Sequence, residues 1–152
     1  MYLGAVAQFP AFRVRPNLAS PYQSLPSKVL NVLTVIPTLD LDTQRTSSWS
    51  CVISVDGELD RLTVPALEEV LHAEMANERI RRLVVDLRKV EFVDGRGLSV
   101  LVDAAEAMRE SGRRFCVVCT DPHLLRVLTL VDARGRVDVV RSRPRALGDA
   151  AA

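Results

Sequence analysis

Leu83-Val84-Val85-Asp86-Leu87 is an apolar run broken only by Asp86. A strand wetted on one side alternates apolar and polar residues, so a run without alternation belongs to a strand covered on both faces. Such a strand needs helices packed on its sheet, and the flanking sequence supplies them. Downstream, Asp94-Gly95-Arg96-Gly97 leads into Leu98, Leu101, Val102, Ala105 and Met108 at helical spacing, ending at Gly112. Arg114 to Cys119 reads as the next strand. Asp121-Pro122 is a cap followed by proline at the first helical position, and Leu124, Leu125, Leu128 and Val131 form the stripe behind it. Val137 to Val140 is a last short strand, and the chain past Arg141 is expected to fray.

Upstream, Leu39, Leu41 and Thr43 alternate with Asp40, Asp42 and Gln44, the pattern of an edge strand. Thr46-Ser47-Ser48 is a turn, and Trp49 to Val55 is a second strand, paired with the first as a hairpin and ended by Gly57. Thr63 caps a helix with Pro65 at its second position. Leu67, Val70, Leu71 and Met75 face inward there, with Glu68, Glu69 and His72 opposite. The order β-β-α-β-α-β-α-β predicts an α/β fold with a mixed, mostly parallel sheet, because right-handed crossovers return each strand in the same direction. Residues 1–38 carry Pro10, Pro16, Pro21 and Pro26 and no sustained period, so a disordered extension is expected. The apolar segment 29–36 within it fits helix and strand equally. The domain is placed at 39–147, with a frayed tail at 148–152.

Net charge is +1, so no bulk field points to nucleic acid or anionic lipid. The apolar stretch from Val29 to Ile36 is far too short to span a bilayer, and the N-terminus lacks the basic region of a signal peptide. The cysteines Cys51, Cys116 and Cys119, an odd number without a secretory signal, fit a reducing cytosol. Cys116 and Cys119 spell C-x-x-C, but residues three apart on a strand face opposite sides and cannot share a bond or a metal. His72 and His123 complete no zinc set, so neither a metal nor a cofactor is expected. No nucleophile–base pair or phosphate loop is visible, which disfavours a small enzyme on a flavodoxin-like sheet. No residue is assigned as catalytic.

The Asp94–Gly97 loop leaves a buried strand and enters a helix. Its two glycines allow positive φ and close approach of a partner, and the helix start offers free N–H groups to an anion or a carboxylate. The same residues also suit a plain strand–helix turn. A dinucleotide site is excluded, because Val100 stands where the fingerprint wants a third glycine.

Two motifs in this order carry a resemblance. Gly57-Glu58-Leu59-Asp60 followed by Thr63, then Leu87, Val90, Phe92, Asp94, Gly97 and Leu98, resemble the STAS domain of bacterial anti-sigma factor antagonists over roughly Leu39 to Leu147. The resemblance implies binding without catalysis. The implied partner is an anti-sigma factor, typically a serine kinase of ATPase fold, which is made to free its sigma factor; no direct nucleic-acid or membrane contact is implied. The implied docking surface comprises Glu58, Asp60 and Thr63, then Asp94, Gly95, Arg96, Gly97 and Leu98. The family loop usually reads Asp-Ser-Ser-Gly, with its first serine phosphorylated. Gly95 and Arg96 occupy those serine positions and carry no hydroxyl, so control by phosphate is not expected there; Ser99, one turn on, is the nearest substitute. The alternative is a STAS subunit that scaffolds another assembly, such as a lipid-transport ATPase or a stress-signalling complex.

Overall fold

The computed structural model describes residues 12–15, 39–132 and 135–148. The apolar run is the first half of β4 (Arg82–Val93), flanked on one side by β3 (Ser50–Leu59) and on the other by β5 (Arg114–Val118). With β1 (Phe12–Arg15), β2 (Leu39–Arg45) and β6 (Asp138–Val140) these make one sheet ordered β1-β2-β3-β4-β5-β6. Every neighbouring pair is parallel except β2 with β3, the expected hairpin. Helices α1 (Val64–Ala76), α2 (Gly95–Glu110) and α3 (Pro122–Val131) connect the parallel strands. Successive right-handed crossovers in one direction place all of them on the same face.

Alternate residues of the run meet different layers. Leu83, Val85 and Leu87 pack with Leu67 and Leu71 of α1, Leu101 and Met108 of α2, and Leu128 of α3. Val84 faces the other way, against Val52, Cys116, Val118 and Ala146. Each such side chain taken fully out of water contributes about 1.5–3 kcal/mol. The second layer comes from α4 (Arg143–Leu147), closed by Gly148 at φ 83°. Chain past Arg141 that was expected to fray is therefore this helix, held down by Ala146 and by arginine contacts; residues 149–152 lie outside the described residues.

Asp86 points into that second face and is buried. Arg88 Nη2 donates to Asp86 Oδ2 at 2.7 Å, and the Arg88 backbone N–H donates to Oδ1 at 3.1 Å. From α4, Arg143 Nε donates to Oδ2 at 2.5 Å, and its Nη2 donates to Ser54 Oγ at 2.7 Å. Farther along, Arg82 donates to the Leu147 carbonyl and lies over the Trp49 ring, 5.4 Å from its centroid. A five-residue helix has no stability of its own; these contacts fix it.

Beyond Asp86 the ladder slips twice. Ser54 pairs with Asp86 but Asp56 pairs with Lys89; Gly57 pairs with Val90 but Glu58 pairs with Phe92. Each slip puts an extra residue into β4, which needs 12 residues to match the 10 of β3. Bulges of this kind turn side chains over. Here they send Val90 and Val93 into the core and leave Lys89, Glu91 and Phe92 outside. Gly57, expected to end β3, instead carries it through the second bulge at φ 119°, a conformation glycine adopts without strain.

One piece of the extension expected to be disordered is a strand. β1 runs parallel to β2, with Phe12 opposite Leu39, so β2 is not an edge. The unpaired groups on the outer side of β2 give an extended segment somewhere to bond, and these four residues hold no proline between Pro10 and Pro16. The rest of 1–38, including the ambiguous stretch 29–36, lies outside the described residues.

Burial alone would raise the Asp86 pKa, but hydrogen bonds from Arg88 and Arg143 outweigh it and hold the carboxyl below its ordinary value. A depressed carboxylate stabilises the fold above its unfolded pKa of about 3.9, and that stabilisation disappears as pH falls through the folded value. Asp86→Asn is expected to cost about 2–3 kcal/mol at pH 7, below the usual range for a buried pair because Arg88 is half exposed. Urea melts at pH 7 and at a series of acid pH values check this. The gap between wild type and variant should close below pH ~4.

Candidate functional site

β3 and β4 end side by side, Leu59 opposite Val93. Two loops therefore leave the sheet at one place: residues 60–63 into α1 and Asp94 into α2. Asp94 joins them. Its backbone N–H donates to the Leu59 carbonyl at 2.9 Å. Its Oδ1 accepts from Gly97 N at 2.9 Å, capping α2, while its Oδ2 accepts from Arg61 N at 3.0 Å across the gap.

The first loop is tied just as closely. Asp60 Oδ1 accepts from Leu62 N at 2.8 Å and from Thr63 N at 3.0 Å. Thr63 is fully buried; its hydroxyl donates to the Glu58 carbonyl at 2.6 Å and accepts from Asp60 N at 2.9 Å. Thr63 was expected to cap α1 through its side chain, and it does not. Pro65 removes one of the two N–H groups a capping hydroxyl would seek, and the other, on Ala66, bonds the Thr63 carbonyl. The hydroxyl turns back and braces the loop instead.

The two glycines differ in kind, and neither uses the positive φ that glycine allows. A Cβ on Gly97 would sit 2.9 Å from Val93 Cγ1 and 3.2 Å from both Leu59 Cβ and the Leu59 carbonyl oxygen. A Cβ on Gly95 would meet nothing within 4 Å. Close approach of helix to sheet thus demands glycine at 97 and imposes nothing at 95. Arg96 is exposed and pairs with Glu68 of α1, bridging the two helices. Ser99 is exposed, and its hydroxyl donates to the Gly95 carbonyl at 2.9 Å.

The geometry therefore gathers all the sequence-read positions at one end of the sheet and gives them unlike tasks. Gly95 and Arg96 face solvent, Glu58, Asp60 and Asp94 are half-buried, and Gly97, Leu98 and Thr63 are buried beneath them. Leu98 packs into the core rather than outward. Sequence reasoning passed over Arg61 and Leu62, and took Phe92 as part of the motif without assigning it to the site. Leu62 stands between residues with turn chemistry, where an apolar side chain is the odd one out, and that was the available signal.

Cys116 belongs to the second-face cluster and Cys119 to the main core, on opposite sides of the sheet as their spacing implies. Burial pushes the Cys51 and Cys116 thiols up to about 12. These are inert packing groups, remote in character from a reactive thiol.

A STAS domain model matches residues 40–144. The chain belongs to the STAS domain family. Its relatives include the anti-sigma-B factor antagonist of Staphylococcus aureus, 29% identical over 87 residues, which are 57% of this chain and 80% of that protein. They include also the anti-sigma-F factor antagonist RsfB of Mycobacterium tuberculosis, 38% identical over 60 residues, 40% of this chain and 48% of that protein. Among solved structures, an anti-sigma factor antagonist from Mycobacterium paratuberculosis superposes with a TM-score of 0.67 at 28% identity, covering 76% of this chain and 96% of that one. No helix of this STAS domain, among the described residues, is long and apolar enough to cross a membrane.

The contrast between the glycines is measurable in this STAS domain. Gly97→Ala is expected to destabilise by about 1–3 kcal/mol through overpacking against β3 and β4. Gly95→Ala should be neutral or stabilise by up to about 1 kcal/mol through the unfolded chain. Paired thermal melts decide it.

Proposed function

We propose that this chain is an anti-sigma factor antagonist. It binds an anti-sigma factor, and the bound partner releases its sigma factor. It acts in the cytoplasm by stoichiometric binding, without catalysis and without a cofactor, and its partner has the ATPase fold of a serine kinase. The observation that carries the reading is membership of the STAS family together with named relatives that are themselves anti-sigma factor antagonists. The docking surface is the end of the sheet where Glu58, Asp60 and Thr63 meet Asp94, Gly95, Arg96, Gly97 and Leu98. In support, one carboxylate binds both loops into a single unit.

Gly95 stands at the family's phosphoserine position, so this antagonist escapes control by phosphate there and is active whenever it is made. Two observations support this: residues 95 and 96 are glycine and arginine, and position 95 is exposed at the first turn of α2. A phosphate at that point would bring nearly two negative charges to the docking surface.

The reading is tested with the full chain and the purified anti-sigma factors of ATPase fold from the same genome. One of them is expected to form a complex and to give up its sigma factor as the chain is titrated in. Failure of all of them to bind would end the proposal. With kinase and ATP, intact-mass measurement should find no phosphate on residues 94–97. Gly95→Ser should gain one phosphate without loss of thermal stability, because its side chain enters open space. Stoichiometric phosphate on Ser99 of the unaltered chain would mean that the switch has moved along α2, and constitutive action would be wrong.

A further inference from the structure

Two large apolar side chains stand in water at the end of the sheet that carries the Asp94 loop: Leu62, 60% exposed, and Phe92, 52% exposed. Exposed leucines are common singly. What distinguishes these two is how firmly the backbone beneath them is held. From Asp60 to Thr63 every backbone N–H has a partner within the site: Asp60 N to Thr63 Oγ1, Arg61 N to Asp94 Oδ2, and Leu62 N and Thr63 N to Asp60 Oδ1. Leu62 therefore projects from a rigid turn. Phe92 lies just after the second bulge of β4 and two residues before Asp94. The bulge turns Val93 into the core and Phe92 out, and the Asp94 N–H bond to Leu59 fixes the strand end behind it.

We infer that Leu62 and Phe92 are preorganised apolar anchors by which this chain grips the anti-sigma factor. The inference rests on the function proposed above and adds what the partner must offer: apolar recesses for these two side chains beside the point where it meets α2. Binding energy concentrates in a few large side chains held ready before contact, because little motional freedom is then lost on binding. The other exposed large apolar residues lack this setting. Trp49 is stacked under Arg82, and it lies with Leu130 and Val131 at the opposite end of the sheet, where strands begin and α3 finishes. Gly95 presents no side chain and a Cβ there would meet nothing within 4 Å, so a partner can close on the start of α2.

The test compares Leu62→Ser, Phe92→Ser and the control Leu130→Ser in the full chain. Each is titrated against the anti-sigma factor that binds the wild type, immobilised and pure. All three positions are exposed, and thermal melts are run to check that each variant folds as the wild type does. Leu62→Ser and Phe92→Ser are each expected to raise Kd by about ten- to hundred-fold, and Leu130→Ser by less than about two-fold. Near-wild-type binding by both anchor variants would overturn the inference while leaving the proposed function standing. A wild type that binds no anti-sigma factor would overturn the function and the anchors with it. Sedimentation of the same proteins covers the rival occupant: a wild-type dimer that both substitutions dissolve would assign the anchors to a second copy of this chain and overturn the inference.

Discussion

The Asp94 carboxylate organises the working end of this molecule. One oxygen caps α2 through Gly97 and the other takes the Arg61 N–H of the neighbouring loop. A charged acceptor shared between two backbone donors is stronger than a neutral hydrogen bond, and it locks the relative position of two chain segments that are distant in sequence. Gly97 makes this possible, since only a residue without Cβ lets α2 start so close to Leu59 and Val93. Thr63 and Asp60 complete the arrangement from the other side. The exposed residues, Gly95, Arg96 and Leu62, are thus displayed by the buried and half-buried ones.

Much of the architecture was legible because it follows from pattern alone. The run Leu83–Leu87 does lie between two apolar layers, and the stripe from Leu98 to Met108 does face the core. Where reading failed, a local rule had been overridden by tertiary context. The strand read at Leu83–Leu87 continues as β4 through Arg88, Lys89 and Glu91, where two bulges interrupt alternation. Val131, counted in the inward stripe of α3, is exposed. Thr63 has a capping residue's composition, but Pro65 takes away a donor. α4 has five residues, three of them Arg or Pro, and no stripe to announce it; partners distant in sequence, Asp86, Ser54, Arg82 and the apolar residues around Val84, hold it on the sheet. At the site, the two motifs marked loops that the fold does bring together, but could not tell which side chains point outward.

The second face of the sheet connects with the first through Asp86. Its carboxylate is bonded by Arg143 at the start of α4 and by Arg88 just beyond the last regular pair of the β3–β4 ladder. Ser54, the other half of that pair, is held by the same Arg143. The register from which both bulges depart is thereby anchored by a residue near the C-terminus. The geometry at Phe92 and Asp94 is built on a pairing fixed from the far side of the sheet.

Gly95 and Gly97, two residues apart, will be sorted differently by chance mutation. Codons of the GGU and GGC type become serine codons by a single base change. At position 97 that step is blocked by contact with Val93 and Leu59. At position 95 it meets no steric barrier, so a lineage can acquire or lose a hydroxyl on this surface without passing through an unstable intermediate. The fold keeps its capped helix either way, and gaining or dropping that hydroxyl is a matter of one nucleotide.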